Sequence, residues 1–116
     1  MPVCVRCGGL ARPNILMFED RNWLEARSNV QQQAQQRWLA QLRSDSQVVL
    51  VEIGAGTAIP SVRYFSQCMS EQYGARIIRI NPREPEVANS SDVGIASGAL
   101  DALAGIDDAL KGMRRL

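Results

Sequence analysis

The sequence Val48-Val49-Leu50-Val51-Glu52-Ile53-Gly54-Ala55-Gly56-Thr57 decides the fold of this 116-residue chain. The nearly continuous apolar run 48–53 is typical of a parallel strand that is covered on both faces. The two glycines after it permit positive φ and close approach of a ligand to the backbone, and the segment that follows offers helix N-terminal amides to an anion. Together with the helix and strand that follow, the pattern predicts a nucleotide-binding α/β half-domain, although a glycine pair after a strand also serves any tight strand-to-helix turn.

Further strands complete an alternating α/β pattern. We predict strands at 76–80 and 92–95, and a short apolar strand at 15–18. Pro82 and Pro85 exclude regular structure from the polar loop that runs to about residue 91. The expected fold class is α/β, a three-layer Rossmann-like half-domain built as a right-handed parallel βαβαβ unit. Its ligand edge is the carboxyl end of the strands, where the Gly54 turn and Asn81 both fall.

Three helices are predicted from apolar residues that recur at helical spacing. The first spans about residues 23–43, stops at Ser44, and carries on one face Val30, Ala34, Trp38 and Leu42. The second ends at a Gly74 cap, and its apolar stripe comprises Val62, Phe65, Met69 and Tyr73. The last spans residues 98–111 and buries Leu103, Ile106 and Leu110. The basic residues that favour its C-terminal dipole end are Lys111, Arg114 and Arg115.

The composition indicates one small domain without a polyanionic or membrane partner. With 46% hydrophobic residues the chain can form one core, but a chain of this size leaves much of that core near the surface. The net charge is +1 and no long block of like charge occurs, which disfavours nucleic acid and membrane surfaces. No 18-residue apolar span and no leader are visible, and three cysteines with one Cys-x-x-Cys pair suit a reducing compartment. We therefore expect a soluble, cytoplasmic chain.

Five segments carry a resemblance that covers the chain from Cys4 to about Leu110. In order they are Cys4-Val5-Arg6-Cys7-Gly8-Gly9, residues 12–19 (Arg-Pro-Asn-Ile-Leu-Met-Phe-Glu), Gly54-Ala55-Gly56-Thr57, Ile80-Asn81 and Ser91-Asp92-Val93-Gly94-Ile95. In order and spacing they resemble the C-terminal part of a sirtuin, an NAD-dependent protein deacylase. The resemblance divides the chain into a partial zinc-ribbon segment, 1–14, and the C-terminal part of a sirtuin-like Rossmann domain, 15–116.

The features of the sirtuin N-terminal half do not occur in these 116 residues. They are the Gly-Ala-Gly-x-Ser cofactor loop, the Asn-x-Asp motif, the catalytic His-Gly and the first cysteine pair. In the family the acyl oxygen attacks the nicotinamide ribose, histidine acts as base, and the acyl group passes to ADP-ribose. The chain contains no histidine, so we assign it no catalytic residue and expect it to be inactive alone. It is interpreted as a truncated or split sirtuin-like product, a non-catalytic interaction module, or a subunit completed by a partner chain.

The resemblance implies cofactor-binding and metal-binding residues. The family's Gly-Thr-Ser contacts the ribose and phosphates of NAD, and its place is taken here by Gly54, Ala55, Gly56 and Thr57. The alternative interpretation is that these residues form a turn that binds no ligand. Asn81 suits the adenine-ribose hydroxyls, although Asn-Pro is also ordinary turn chemistry, and Val93 would line the adenine or serve as strand core. We expect NAD binding to be weak or vestigial.

The Cys4 and Cys7 thiols would supply half of a zinc site. A tetrahedral zinc site needs four thiolate or imidazole ligands, so zinc could bind only if a second cysteine pair is supplied, for instance by a second copy of the chain. Cys68 lies on a predicted helix and is interpreted as a small buried hydrophobe.

Three further predictions concern a peptide partner, a buried charge and self-association. Sirtuins pair with an acyl-lysine peptide by strand addition, and the corresponding positions here are Met17, Phe18 and Glu19. The alternative is that Phe18 is only a core residue. Glu52 lies within an apolar strand, where an unpaired carboxylate costs several kcal/mol, so we expect it to pair with Arg63 or Arg79 or to point to the ligand edge. Because few strands remain to flank the strand at 48–53, we also expect self-association or a partner that supplies the missing half.

Overall fold

The computed structural model describes residues 1–13, 15–43 and 45–114. These residues form two compact units, Met1–Gln41 and Leu42–Leu116. Three residues with sequence-based expectations lie outside the described ranges: Asn14, Ser44 as a helix stop, and Arg115 at the end of the last helix. None of the helices in the described ranges is long and apolar enough to cross a membrane.

The first unit contains a small hairpin and one helix. Val3 and Leu10 form an antiparallel bridge that encloses the cysteine pair. The predicted strand at 15–18 is wrong, because these residues form no strand and Phe18 begins a turn in which Glu19 has a φ of +62°. The Ile15 N–H donates to the Pro13 carbonyl (2.9 Å) and the Asp20 N–H donates to the Met17 carbonyl (3.3 Å), and both are local bonds.

Helix α1 spans Ala26–Leu39 and is shorter than the predicted 23–43. None of its residues is buried, and the expected apolar residues Val30 and Trp38 are 63% and 61% exposed. The predicted buried face is therefore wrong for this unit. One apolar residue per turn makes a narrow stripe on a helix that is otherwise rich in glutamine, and such a stripe is too narrow to create a packed face.

The second unit contains a three-stranded parallel sheet. Strands β1 (Val49–Ile53), β2 (Arg76–Ile80) and β3 (Val93–Ile95) lie in the order β1-β2-β3. Helix α2 (Ser61–Tyr73) connects β1 with β2 and packs against both, and helix α3 (Ala99–Met113) follows β3. The prediction of an α/β fold with parallel strands, consistent with a Rossmann-like half-domain, is confirmed.

The α2 face of the sheet is the better packed one. Met69 of α2 and Ile77 of β2 are buried, and Gly74 ends α2 in the left-handed conformation that the sequence predicts. The predicted stripe is wrong at its N-terminal half, since Val62 and Phe65 are exposed. Ser66 is buried in place of them, so α2 is rotated relative to the expected stripe.

The opposite face of the sheet carries exposed apolar side chains. The exposed part of this face, here called the open sheet face, comprises Val49, Val51, Ile53 and Val93, each about half exposed, whereas Ile80, the register partner of Ile53 on the same face, is buried. The expectation that β1 is covered on both faces is not met within the described residues. On α3 only Ala102 is buried, while the predicted core residues Leu103 and Leu110 are exposed and Ile106 is intermediate.

Candidate functional site

The Gly54 turn and Asn81 lie side by side at the carboxyl ends of neighbouring strands. The register pairs Ile53 with Ile80, so the residues after both strands reach the same edge of the sheet. The Gly54 N–H donates to the Ile80 carbonyl (N···O 2.9 Å), and the Asn81 N–H donates to the Ile95 carbonyl (N···O 3.1 Å). Gly54 has a φ of +68°, which explains the glycine at this position. The prediction that the Gly54 turn and Asn81 lie at one edge of the sheet is therefore confirmed.

The Asn81 side chain is occupied by contacts within the protein. Its Nδ2 donates to the Ala55 carbonyl (3.2 Å), and its Oδ1 accepts from the N–H groups of Arg83 (2.9 Å) and Glu84 (3.0 Å). Asn81 is only 7% exposed. In this conformation the Asn81 side chain links the loop after β2 to the glycine turn by hydrogen bonds. A ribose hydroxyl that binds Asn81 would have to share or replace those hydrogen bonds.

Glu84 is the polar residue at this edge that sequence reasoning missed. Its carboxylate accepts hydrogen bonds from the Thr57 N–H (2.9 Å) and from the Thr57 hydroxyl (2.8 Å). The Thr57 hydroxyl is the chief cause that lowers the pKa of Glu84 below its ordinary value, and the Thr57 amide and the charges of Arg63 and Arg83 act in the same direction. A carboxylate three residues after a strand-end asparagine is the sequence signal that could have indicated the contact.

Arg63 of α2 holds the turn and the loop together. Its Nη2 donates to the Ala55 carbonyl (2.9 Å) and to the Glu84 carbonyl (2.7 Å), and it lies 3.5 Å from the Glu84 carboxylate. The Arg63 side chain is 15% exposed, whereas that of Glu84 is 39% exposed. The mostly buried Arg63 guanidinium therefore has a structural role, while the Glu84 carboxylate remains accessible to solvent.

A depression of about 420 Å³ lies over this edge, lined by Gly54, Gly56, Thr57, Ala58, Asn81, Arg83 and Glu84. Helix α2 begins beyond it with Pro60 as N-cap and no side-chain cap. Uncapped N-terminal amides and the Arg83 guanidinium make part of this region attractive to anions. Val93 pairs with Ile78, two residues before the end of β2, and does not line the depression.

Gly94 fixes the path of the loop that carries Glu84. A Cβ atom at Gly94 would lie 2.2 Å from the Pro85 carbonyl oxygen. Only glycine allows the loop backbone to lie this close to β3. The position of the Glu84 carboxylate therefore depends on a close backbone contact as well as on Asn81.

The buried charge expected at Glu52 is paired with Arg79. The Arg79 Nε atom donates to the Glu52 Oε1 atom (2.8 Å), and the Glu52 and Arg79 side chains are only 2% and 11% exposed. Arg79 also donates to the Glu86 carbonyl. The predicted pairing is confirmed for Arg79, and its burial on the α2 face gives it a structural role.

The cysteine pair lies in a tight turn of the first unit. The Gly8 N–H donates to the Cys4 carbonyl (2.9 Å) and the Cys4 N–H donates to the Gly9 carbonyl (2.8 Å), which closes a tight turn around the two thiols. Backbone amides, first that of Arg6 and then that of Cys7, lower the pKa of the Cys4 thiol. Within the described ranges no cluster of three or more potential metal ligands occurs. Cys68 is not fully buried, contrary to its interpretation as a buried hydrophobe.

The segment predicted to meet a peptide is an exposed turn. Leu16, Met17 and Phe18 line a shallow apolar depression of about 490 Å³. Phe18 is 96% exposed, so the alternative that it is a core residue is wrong. Because residues 15–18 form no strand, they offer no preformed strand edge to which a peptide could add.

Comparison with known proteins supports a distant sirtuin-like relationship. The chain is 30% identical over 117 residues to the NAD-dependent protein deacylase 2 of Pyrobaculum aerophilum, covering 99% of this chain. It is 24% identical over 110 residues to an NAD-dependent protein deacylase of Aquifex aeolicus, covering 95% of this chain. The chain spans 41% of the length of each of these relatives. No family model matches the chain, and no solved structure matches it.

Proposed function

We propose that this chain is a sirtuin-like NAD-binding unit that forms one side of a dinucleotide pocket. The observation that carries the proposal is the glycine turn at the sheet edge, with its depression of about 420 Å³, in a chain similar over nearly its full length to two NAD-dependent deacylases. Open α/β sheets bind ligands outside the carboxyl ends of their strands, which is where this depression lies.

The residues present suit weak binding of NAD or ADP-ribose. Backbone amides of the turn, the start of α2 and Arg83 can approach phosphate. Ala55 and Gly56 offer no hydroxyl, and the polar atoms of Asn81 already have partners inside the protein. We expect a dissociation constant no tighter than about 1 mM, which corresponds to about 4 kcal/mol of binding free energy.

The 116 residues alone are proposed to be catalytically inactive. They contain no histidine, the residue that acts as base in the family, and general base catalysis is commonly worth about 10² to 10⁴ in rate. An assay of the purified chain with an acetyl-lysine peptide and NAD should release no nicotinamide above buffer. Robust turnover by the chain alone would refute this part of the proposal.

The alternative is an interaction module or a subunit that a partner chain completes. The open sheet face supports it, because half-exposed valines and isoleucine on a parallel sheet are typical of a surface that another element covers. By resemblance the wider assembly would act on an acyl-lysine protein, with Met17, Phe18 and Glu19 nearest to the peptide. Repeating the nicotinamide assay after adding a separately expressed sirtuin-like N-terminal half tests this alternative: activity only in the mixture supports it.

Zinc binding is proposed for two copies of the chain together. The Cys4 and Cys7 pair supplies two thiolates, and a closed structural site needs four ligands. Metal analysis of purified chain should find one zinc per two chains, and the double variant Cys4→Ser/Cys7→Ser should lose it. Metal-free protein prepared in the presence of zinc would refute this part.

A further inference from the structure

We infer that the Glu84 carboxylate acts as an internal anion that competes with the phosphate groups of a ligand for the Thr57 end of the glycine turn. The inference rests on the proposed function, because it assumes that the depression at the sheet edge receives NAD or ADP-ribose. It adds a residue that limits affinity for anions and thereby determines specificity at this site.

The Glu84 carboxylate already occupies the donors at the Thr57 end of the glycine turn. The carboxylate receives both the Thr57 N–H (2.9 Å) and the Thr57 hydroxyl (2.8 Å), the type of donor pair that a phosphate oxygen would use. A Cβ atom built on Gly56 would lie only 3.4 Å from the Glu84 Oε2 atom, so the carboxylate also covers the second glycine of the turn. A ligand phosphate therefore cannot use these donors until Glu84 leaves.

Hydrogen bonds hold the backbone of Glu84 in place. Asn81 Oδ1 accepts the N–H groups of Arg83 and Glu84, and Arg63 donates to the Glu84 carbonyl (2.7 Å). The close contact of Gly94 with Pro85 fixes the next residue of the loop. Rotation of the side chain about its own torsions is then the simplest way to expose the Thr57 donors.

The charge of Glu84 opposes that of an incoming phosphate. The ordinary pKa of a glutamate, 4.5, already lies far below neutral pH, and the contacts with Thr57 lower the pKa of Glu84 further, so its carboxylate is ionised. An incoming phosphate thus meets a negative charge on the donors it needs, and like charges a few ångströms apart repel each other. Because 39% of the Glu84 side chain is exposed, solvent weakens this repulsion without removing it.

The test compares Glu84→Gln with Glu86→Gln by NMR titration of the full chain with ADP-ribose. Glutamine keeps the shape and an acceptor oxygen but removes the charge, and Glu86→Gln removes an equal charge two residues away. Within the described residues, the Glu86 carboxylate makes no hydrogen bond to Thr57. Glu84→Gln should bind ADP-ribose about five- to thirtyfold more tightly, with shifts at residues 54–57, whereas Glu86→Gln should stay within about twofold of the unaltered chain.

Adenosine, which has no phosphate, is the neutral control ligand. Its affinity should change less than about twofold in Glu84→Gln, because no charge competes with it. An equal gain for adenosine and ADP-ribose would overturn the inference, since the substitution would then open the site sterically. Unchanged or weaker ADP-ribose binding in Glu84→Gln, with shifts still at the glycine turn, would overturn the inference alone. No shift at the turn in any variant would overturn the proposed function together with it.

A ligand-free measurement checks the contact independently. The Thr57 amide resonance should follow the ionisation of Glu84, moving with a midpoint below the ordinary pKa of glutamate. That pH-dependent movement should vanish in Glu84→Gln and persist in Glu86→Gln. A Thr57 resonance insensitive to pH in the unaltered chain would show that the carboxylate does not occupy the turn.

Discussion

Removing Arg79 should destabilise the second unit more than any other charge change on the sheet. The Arg79→Leu substitution leaves the Glu52 carboxylate, whose side chain is 2% exposed, without the guanidinium that now lies 2.7 Å away. Breaking a buried ion pair by removing one partner costs about 3–5 kcal/mol. The whole stability of the unit Leu42–Leu116 is expected to be roughly 4–11 kcal/mol from typical values per residue, so the variant loses a large share of it.

Urea unfolding followed by circular dichroism measures this loss. With a slope of roughly 1 kcal/mol per molar urea for a small unit, the midpoint should fall by about 3–5 M or the variant should be unfolded in buffer. The matched control is Arg76→Leu, which removes the same charge from an exposed position of the same strand. The double variant Glu52→Leu/Arg79→Leu should recover most of the loss, because no unpaired charge then remains. An Arg79→Leu midpoint equal to that of Arg76→Leu would refute the reasoning.

Three further outcomes are expected. The pKa of Glu84 is lowered in the folded chain, so the stability that its carboxylate contributes is present above the ordinary glutamate pKa of 4.5 and is lost as pH falls through the lower pKa of the folded chain. The urea midpoints of Glu84→Gln and of the unaltered chain should therefore converge at low pH. A difference between the midpoints that stays constant with pH would contradict this. Gly94→Ala should cost about 1–3 kcal/mol in urea unfolding, because its Cβ would meet the Pro85 carbonyl at 2.2 Å, while Gly105→Ala, with open space around it, should be neutral or stabilising. The open sheet face should make the chain self-associate in sedimentation experiments, and a compact monomer at high concentration would count against that.

The parts of the fold that sequence predicted well depend on local patterns. The apolar run before Gly54 and the strand Arg76–Ile80 were located to within a residue, because strand composition and flanking glycine or proline are local signals. The left-handed Gly74 cap was recognised for the same reason.

The errors concern which surfaces find a partner. Residues 15–18 have strand composition but form no strand, and among the described residues of the first unit the apolar stripe of α1 has no packed face. On α2 the buried residues are Ser66 and Met69, whereas the apolar stripe predicts Val62 and Phe65 beside Met69. Helical periodicity gives the spacing of a buried face but not the rotation that tertiary packing selects.

The candidate site was predicted in part for a similar reason. Glycine spacing and strand order were enough to bring Gly54 and Asn81 to one edge. The contact between Thr57 and Glu84 joins residues 27 positions apart, and the path of the loop decides it. That path depends on Gly94, whose role as a close backbone contact is invisible without coordinates.

The most direct test of the central claim is NMR shift mapping with ADP-ribose on the full chain. If the chain is a sirtuin-like NAD-binding unit, perturbations should cluster at residues 54–57 and at Asn81, which line the depression, with a dissociation constant no tighter than about 1 mM. Shifts confined to the region from Cys4 to Phe18, or tight binding elsewhere, would contradict the account.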